Sequence, residues 1–436
     1  MESNKTRQQL LELYRAALTA VDPYVSVVRY RDAIIGSYRS GRCTRLISLA
    51  FGKAACPMAK AVEEICGDLV ATSLVITKYG HSDGYALRQG KVFEGGHPLP
   101  DENGVRATGE IVRILGDADE HTLAVCLLSG GGSALLVSPC EGITLQDKQM
   151  TTNLLLRSGA DIYEMNAVRK HLSRVKGGRL AAIAYPSRFL SLILSDVIGD
   201  RLDVIASGPT APDPTTYHDA AGVIEKYGVQ DSVPDRVASV FELGRQGLLP
   251  ETPKEGDRIF QNGENLIIGG NRTALEAAKN YAERAGLHTV LLSSAITGEA
   301  REAGRWIAEK AREIRAEYPS QQPLCLLSGG ETTVTVRGKG TGGRNMELAL
   351  AFAREIRDIP GITLLSAGTD GTDGPTDAAG AIVDGSTLKR AEALGLDVLR
   401  YLEDNNSYAF LRETGDLLVT GPTGTNVMDL QITVIE

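Results

Sequence analysis

Apolar residues in this chain fall into short runs separated by stretches of helical spacing. RLISLAF (45–51), SLVITKY (73–79), KVFEGG (91–96), TLAVCLL (122–128) and FLSLILS (189–195) are apolar, β-branched or aromatic runs of strand length. Between them, KAACPMAKAVEEIC and NGVRATGEIVRIL repeat their apolar positions as helices do. The N-terminus does the same, with Leu10, Leu11, Leu13, Tyr14, Ala17, Leu18 and Val21 at helical spacing, which predicts a surface helix rather than a signal peptide. Strands alternating with helices predict a mostly parallel α/β sheet. A polar stretch spotted with glycine and proline, GRQGLLPETPKEGDR (244–258), then interrupts the pattern. It resumes with NLIIGG (265–270), TVLLSS (289–294), LCLLSGG (324–330), TTVTV (332–336), ITLLSAG (362–368), AIVD (381–384), DLLVTG (416–421) and LQITVIE (430–436). TTVTV alternates strictly just after a tight turn, which predicts a hairpin and hence a mixed sheet. The expectation is two α/β domains, 1–247 and 248–436, the size at which single cores give way to two.

One hexapeptide, CLLSGG, occurs twice, at 126–131 and 325–330. The flanks differ, GSALLVSP after the first and ETTVTVRG after the second, so an internal duplication is poorly supported. Both copies read as a buried strand ending in a Ser-Gly-Gly turn. Such turns at the carboxyl ends of strands expose N–H groups where α/β sheets collect ligands, and one per domain could face across a cleft.

Composition narrows the partners. The formal net charge of −9 argues against a general nucleic-acid binder, and no apolar run approaches the ~18 residues of a membrane span. The 6 cysteines include no C-x-x-C pair and several sit in apolar segments, as reduced thiols in a cytoplasmic protein would. The 48 glycines in 436 residues exceed the usual share of about 7%, and most follow apolar runs directly.

Several of those glycine turns carry candidate chemistry. AFGKAACPMAKAV places Lys53 at a helix N-terminus, where a cation is unfavourable unless an anion is bound; a surface lysine beside a tight turn is the alternative. SGGGSA, with Ser129, Gly130, Gly131, Gly132 and Ser133, can form an anion-binding nest or a flexible turn. NAVRKHLSRVKGGRLA concentrates Arg169, Lys170, His171, Arg174, Lys176 and Arg179 in an acidic protein, after Asn166 as a helix cap. Such a run is usually a solvated helix face, but here it also suits a polyanionic ligand. In LSDVIGDRLD, Asp196 and Asp200 could hold Mg²⁺, which accepts one or two carboxylates plus substrate phosphates. GKGTGGR presents Arg344 at a helix start, a good geometry for a phosphoryl oxygen. It only approximates the dinucleotide fingerprint, and the following strand lacks the acid that motif requires. Asp370, Asp373 and Asp377 are spaced loosely like a calcium loop but lack its terminal glutamate.

In order along the chain, FGKAA, GGHPLPDENG, LLSGGGSALL, NAVRKHLSRVKGGRLA, LILSDVIGDRLDVIASGPT, IIGGNRTALEAA, LSGGETTVTVRGKGTGGRNMELALA and SAGTDGTDGPTDAAGA resemble the class II glycerate kinases. This is the glycerate 2-kinase family, whose C-terminal part is called the MOFRL domain. The resemblance implies a Rossmann-like N-terminal domain, a C-terminal α/β domain with a mixed sheet, and an active-site cleft between them. It also implies transfer of a phosphoryl group from ATP, with Mg²⁺, to the 2-hydroxyl of D-glycerate. The family's catalytic lysine and arginine fall on Lys53 and Arg344. On that scheme the turns at Gly130–Gly132, Gly329–Gly330 and Gly340, Gly342 and Gly343 offer N–H donors to phosphate or carboxylate. Asp196, Glu331 and Asp370 are then the metal candidates, and His97, Arg169, His171 and Lys176 the substrate contacts. The expected partners are small molecules, with no nucleic acid and no membrane, and a homodimer is left open. An NAD(P)H-dependent hydroxypyruvate reductase and a non-catalytic sugar-acid binding protein are the rival readings.

Overall fold

A computed structural model describes residues 2–318 and 322–436. The chain forms two compact units, Pro23–Ile268 and a second made of Met1–Asp22 with Gly269–Glu436.

The larger unit is built on strands β1 (Arg45–Phe51), β2 (Val70–Lys78), β3 (Gly90–Gly95), β4 (Thr122–Leu128), β5 (Arg188–Leu194) and β6 (Gly263–Gly269). They lie in the order β3-β2-β1-β4-β5-β6. The β1–β2, β2–β3, β1–β4 and β4–β5 pairs are all parallel. Helices Ala55–Cys66 and Glu102–Gly116 make the crossovers, so the near-continuous apolar strands are covered rather than alternating. β1 and β4 are buried along almost their whole length. Leu49, Phe51, Ala124 and Leu128 pack with Ile111, Leu115 and Leu180 in one core. The chain runs from β1 outward to β3, then returns to place β4 on the other side of β1. That reversal opens a crevice at the carboxyl ends of β1 and β4, where doubly wound sheets bind ligands.

The second unit has strands β7 (His288–Ile296), β8 (Leu324–Gly330), β9 (Ile362–Gly368), β10 (Gly380–Asp384), β11 (Leu417–Leu418) and β12 (Asp429–Ile435), in the order β11-β10-β9-β12-β8-β7. Only β7–β8 is parallel among the recorded pairs; β12, near the C-terminus, inserts antiparallel between β8 and β9. The helix Arg344–Glu355 lies against Ala300–Glu317, and Leu348 and Phe352 are fully buried, each contributing ~1.5–3 kcal/mol.

The expected elements are present, with four differences. The stretch 244–258 is not the point of division, which falls instead at 22/23 and 268/269. Its Glu251 accepts from the Tyr217 N–H (2.9 Å) and pairs with His171 (3.1 Å), so it is a connection pinned inside the larger unit. NLIIGG accordingly becomes β6, the edge strand beside β5, rather than the start of the next sheet. The N-terminal helix Glu2–Ala20 belongs with the second unit, burying Leu10, Leu13, Tyr14 and Ala17 there, and the Tyr14 hydroxyl donates to Gly368 O at 2.6 Å. TTVTV forms no hairpin: Thr333 makes one isolated bridge to Glu299, and Val336 is 73% exposed. Alternation alone does not make a strand when β7 already occupies the free edge of β8. The mixed character of the sheet comes from β12 instead.

Candidate active site

The crevice of the larger unit is closed by hydrogen bonds between the two strand-end turns. Lys53 N–H donates to Gly130 O (2.8 Å), Ser129 N–H to Phe51 O (3.2 Å), and Ala54 N–H to Ser129 Oγ (3.1 Å). Gly52 must be glycine here: its φ is +135°, and a Cβ would sit 2.6 Å from Ser129 O. Gly131, at φ +83°, turns the chain out of β4, and the N–H groups of Gly130 and Gly131 have no acceptor among the described residues. Those two donors make the nest that SGGGSA suggests. A Cβ on Gly131 would meet His97 Nε2 at 3.0 Å and Lys53 Cγ at 3.4 Å, so lysine and imidazole flank the turn. Burial, with the charges of Lys53, Lys78 and His81, pushes the His97 pKa down to about 4. The ring is therefore neutral at pH 7.

Beyond the turn lies a cavity of about 390 Å³. His97, Ser129, Gly131, Gly132, Ser133, Arg169, Lys176 and Asp196 all line it. Lys176 is 1% exposed, and its ammonium donates to Ser133 O (2.7 Å), Ser133 Oγ (3.2 Å) and Ala206 O (3.4 Å). All three acceptors are neutral, and burial holds its pKa well below that of a free lysine. Lys148, also buried, donates to the carbonyls of Arg169 (3.0 Å) and Leu172 (3.3 Å), and burial pushes its pKa down to about 7. Burial lowers Arg169 too. Among the described residues Asp196 is the one carboxylate on the cavity wall. Burial disfavours the charged form of Lys148, Arg169 and Lys176, and a bound polyanion would restore it.

In the second unit, Arg344 starts the helix Arg344–Glu355 and points back at the carboxyl ends of β8 and β9. Its Nε and Nη2 donate to Asp429 Oδ2 (2.6 Å) and Oδ1 (3.0 Å), and Nη1 donates to Glu331 Oε1 (2.5 Å). Asp429 is 1% exposed and opens β12, opposite Gly330 on one side and Gly368 on the other. Burial works against the guanidinium's charge, but Asp429, Glu331 and Asp373 outweigh it and raise its pKa. A Cβ on Gly368 would lie 3.3 Å from Asp370 Oδ1 and 3.6 Å from Asp429 Oδ1, so these carboxylates converge around that backbone. Asp373 caps the helix from a distant loop, accepting the Asn345 (3.1 Å) and Met346 (2.8 Å) N–H groups; burial raises its pKa to about 6.

Comparison with known proteins places this geometry. Residues 9–242 match a domain family of unknown function, DUF4147, and residues 324–429 match the MOFRL family. The D-glycerate 2-kinase of Thermotoga maritima is 47% identical over 392 residues, covering 90% of this chain and 91% of the relative. The glycerate 2-kinase of Pyrococcus horikoshii is 44% identical, covering 98% of this chain and 96% of its own. The chain belongs to the glycerate 2-kinase family. A solved glycerate kinase from Thermotoga maritima superposes with a TM-score of 0.91 at 44% identity, over 99% of this chain and 100% of that one. A relative from Agrobacterium vitis, 41% identical over 98% of this chain and 94% of its own, carries a hydroxypyruvate reductase name.

The residues expected to form the family's site separate into three sets. Lys53, His97, Ser129, Gly130, Gly131, Gly132, Ser133, Arg169, Lys176 and Asp196 come together at the β1/β4 crevice. Glu331, Arg344 and Asp370 gather at the second sheet, with Gly330 opposite Asp429. His171 joins neither: it is fully buried, with Nδ1 on Ala167 O (2.7 Å), Nε2 on Glu251, and its ring edge-on to Tyr217. Asn166 is not a helix cap. The helix Ile162–His171 is capped by Asp161, and Asn166 sits inside it, accepting from Ser207 Oγ at 2.9 Å.

The glycine turns also differ from expectation. Gly329 and Gly330 remain in β8, laddered to Leu430 and Asp429. In the 337–343 loop, Arg337 and Gly338 N–H donate to Asn405 Oδ1, Lys339 N–H to Asp404 Oδ1, Gly340 N–H to Asp404 O and Thr341 N–H to Asn406 Oδ1. Only Gly342 and Gly343 keep N–H groups without an acceptor among the described residues. The Asp404-Asn405-Asn406 turn that engages this loop, the buried Asp429 and the buried Lys148 all escape sequence reading. Each acts through a contact far along the chain and carries no local motif.

Proposed function

We propose that this protein transfers the γ-phosphoryl group of ATP to the 2-hydroxyl of D-glycerate, giving 2-phosphoglycerate. The observation that carries the reading is the β1/β4 crevice. A glycine nest with open N–H donors, Lys53 beside it and a cavity lined by buried basic side chains are what a polyphosphate substrate requires. Phosphoryl transfer asks the protein for alignment and charge neutralisation rather than covalent chemistry. Lys53 and Arg344 are the proposed catalytic cations. Arg344 is held in a fixed orientation by Asp429, and its planar fork suits phosphoryl oxygens. His97, neutral at pH 7, can accept or donate a hydrogen bond beside the nest without adding charge.

Mg²⁺ fits the residues in the larger unit. Among the described residues no three His, Cys, Asp or Glu side chains gather as a metal site, but Mg²⁺ bound with nucleotide needs only one or two protein carboxylates. Asp196 on the cavity wall is the residue we propose to hold it. Glu331, paired with Arg344, and Asp370, whose Oδ1 accepts from Thr372 N–H and Oγ at 3.0 Å each, lie in the second unit. When bound, the ion would neutralise charge on the β- and γ-phosphates. Six unpaired cysteines support a cytoplasmic setting, and among the described residues no helix is long and apolar enough to cross a membrane.

The test is direct: purified protein with D-glycerate, ATP and Mg²⁺, coupled through enolase to detect 2-phosphoglycerate. Absence of product, or product detected only as 3-phosphoglycerate, overturns the reading. The reductase name of one relative gives a second reading, tested by NADH oxidation with hydroxypyruvate. The first β–α turn speaks against it, holding only Gly52 where a dinucleotide fingerprint has three glycines.

A further inference from the structure

Ala206 and Ser207 follow one another with φ of +50° and +62°, in the left-handed region that residues with a Cβ avoid. Such strain persists only where the surroundings over-determine it. Here Gly177 N–H donates to Ser207 O (3.0 Å), Gly178 N–H to Gly208 O (2.7 Å) and the Lys176 ammonium to Ala206 O (3.4 Å). Held in this turn, the buried Ser207 hydroxyl meets two side chains, Asn166 Oδ1 at 2.9 Å and Ser133 Oγ at 2.9 Å.

Donor counting gives these contacts a direction. A carboxamide oxygen only accepts, so Ser207 spends its one proton on Asn166 and accepts from Ser133. Ser133 thereby spends its own proton and accepts from Lys176 at 3.2 Å. The relay runs from Lys176 through Ser133 and Ser207 to Asn166, and both hydroxyl protons are used. Asn166 is 3% exposed and lines the cavity. With Oδ1 on Ser207, its Nδ2 has two N–H donors and no acceptor among the described residues. A polar group so deeply buried and unpaired calls for a partner that the protein does not itself supply. Lys148, Arg169 and Lys176, which line the same cavity, are donors too, a set that suits an anionic oxygen.

We propose that Asn166 is a substrate-binding residue whose Nδ2 donates to an anionic oxygen of the bound ligand, and that Ser207 is the positioning residue that keeps its amide from turning over. An unlocked amide would present its carbonyl oxygen to the anion as readily as its N–H groups. The oxygen belongs either to the carboxylate of D-glycerate or to a phosphate of the nucleotide, two sources that rest on the kinase reading above.

Asn166→Asp and Ser207→Ala are the variants of choice. Aspartate still accepts from Ser207, so a residue that served only the relay would be replaced without loss, whereas a donor to the ligand would not. Binding of D-glycerate and of ADP is measured separately by calorimetry, which needs no turnover, beside the coupled assay. Asn166→Asp is expected to weaken one of the two by about ten-fold or more and to leave the other within about two-fold; the ligand affected identifies the oxygen. Unchanged binding of both overturns the proposal. So does an equal loss of both, which a negative charge anywhere in the cavity would give. Ser207→Ala alone should weaken the same ligand, yet add nothing in the Asn166→Asp background, because a carboxylate has no wrong way round. A loss that persists in that background overturns the positioning role. If Asn166→Asp does not fold, Ser207→Ala decides, with a selective loss supporting the contact and unchanged binding overturning it. Glycerate turnover by wild type with binding unchanged in both variants sinks this inference and leaves the kinase reading intact. Selective loss of binding without any turnover does the reverse.

Discussion

Asp429→Asn is the substitution that most sharply tests how the second unit works. Asp429 is buried, both of its oxygens accept from Arg344, and among the described residues no other carboxylate is hydrogen-bonded to Nε or Nη2. Asparagine keeps the shape but loses the charge, and its NH₂ group faces a guanidinium donor. Breaking a buried pair from one side typically costs ~3–5 kcal/mol. Arg344 keeps Glu331 and its side chain is 33% exposed, so about 2–3 kcal/mol is expected here. That loss is a drop in the denaturation midpoint, and it says nothing yet about catalysis. The catalytic prediction is that a guanidinium freed to move loses its alignment, lowering kcat by ~10²-fold with KM for ATP little changed. A double-mutant cycle separates the two effects. If Asp429 acts by positioning Arg344, Asp429→Asn has almost no further effect on kcat in an Arg344→Ala background, although both variants lose stability. Losses that multiply in the double variant, or a kcat of Asp429→Asn near that of wild type, refute the reasoning.

Other substitutions test the remaining contacts. Lys53→Ala should lower kcat by ~10²–10³-fold while the thermal midpoint stays close to wild type, since the Lys53 side chain is only half-buried and makes no ion pair among the described residues; near-normal turnover removes Lys53 from catalysis. Gly131→Ala forces a side chain into φ +83° against His97 Nε2 at 3.0 Å, and should lose ADP affinity with the secondary structure intact by circular dichroism. His97 should titrate by NMR near pH 4 rather than 6.5, and Lys53→Met should raise the midpoint by removing one of its causes. Because that folded pKa lies below the unfolded one, stability from neutral His97 is complete above about pH 6.5 and is lost as pH falls towards about 4; His97→Asn should flatten that limb. Tyr14→Phe removes the buried bond to Gly368 O, which keeps only the Gly371 N–H (3.2 Å), and should cost ~1 kcal/mol in chemical denaturation.

How much of this was legible beforehand depended on whether the deciding contact was local. β1, β4, β8 and β9 match their predicted spans because each is a continuous apolar run with a glycine or polar turn at its end, a signal contained in seven residues. TTVTV failed because pairing needs a free strand edge, which no window of sequence displays. The polar stretch at 244–258 looked like a linker by composition, yet Glu251 is bonded into the helical layer by Tyr217 and His171, both more than thirty positions earlier. The basic run 169–179 was legible as a cluster but not in its orientation. Arg169 and Lys176 face the cavity, while Lys170 is 2% exposed and turned to Asp213 at 3.0 Å. Sequence spacing could not separate them, because the helix ends at His171 and the later cations follow an irregular path.

The repeated CLLSGG makes the same point with the local sequence held constant. In the first copy the strand stops at Leu128; Ser129, Gly130 and Gly131 leave it, and the serine hydroxyl and two open N–H groups face the crevice. In the second copy the strand continues through Gly330, because β12 ladders against Ser328, Gly329 and Gly330, and β7 runs alongside. Ser328 Oγ is buried on Gln431 (3.2 Å) instead of capping a turn. Identical residues thus serve an anion nest in one unit and a closely packed strand in the other. In the second, glycine is needed for approach: a Cβ on Gly329 would lie 2.1 Å from Asn271 Oδ1. The second copy therefore works through what it lets near it. Its glycines admit Asn271 and Ile296, and the strand they keep flat pairs with β12, which begins with Asp429, the carboxylate that orients Arg344.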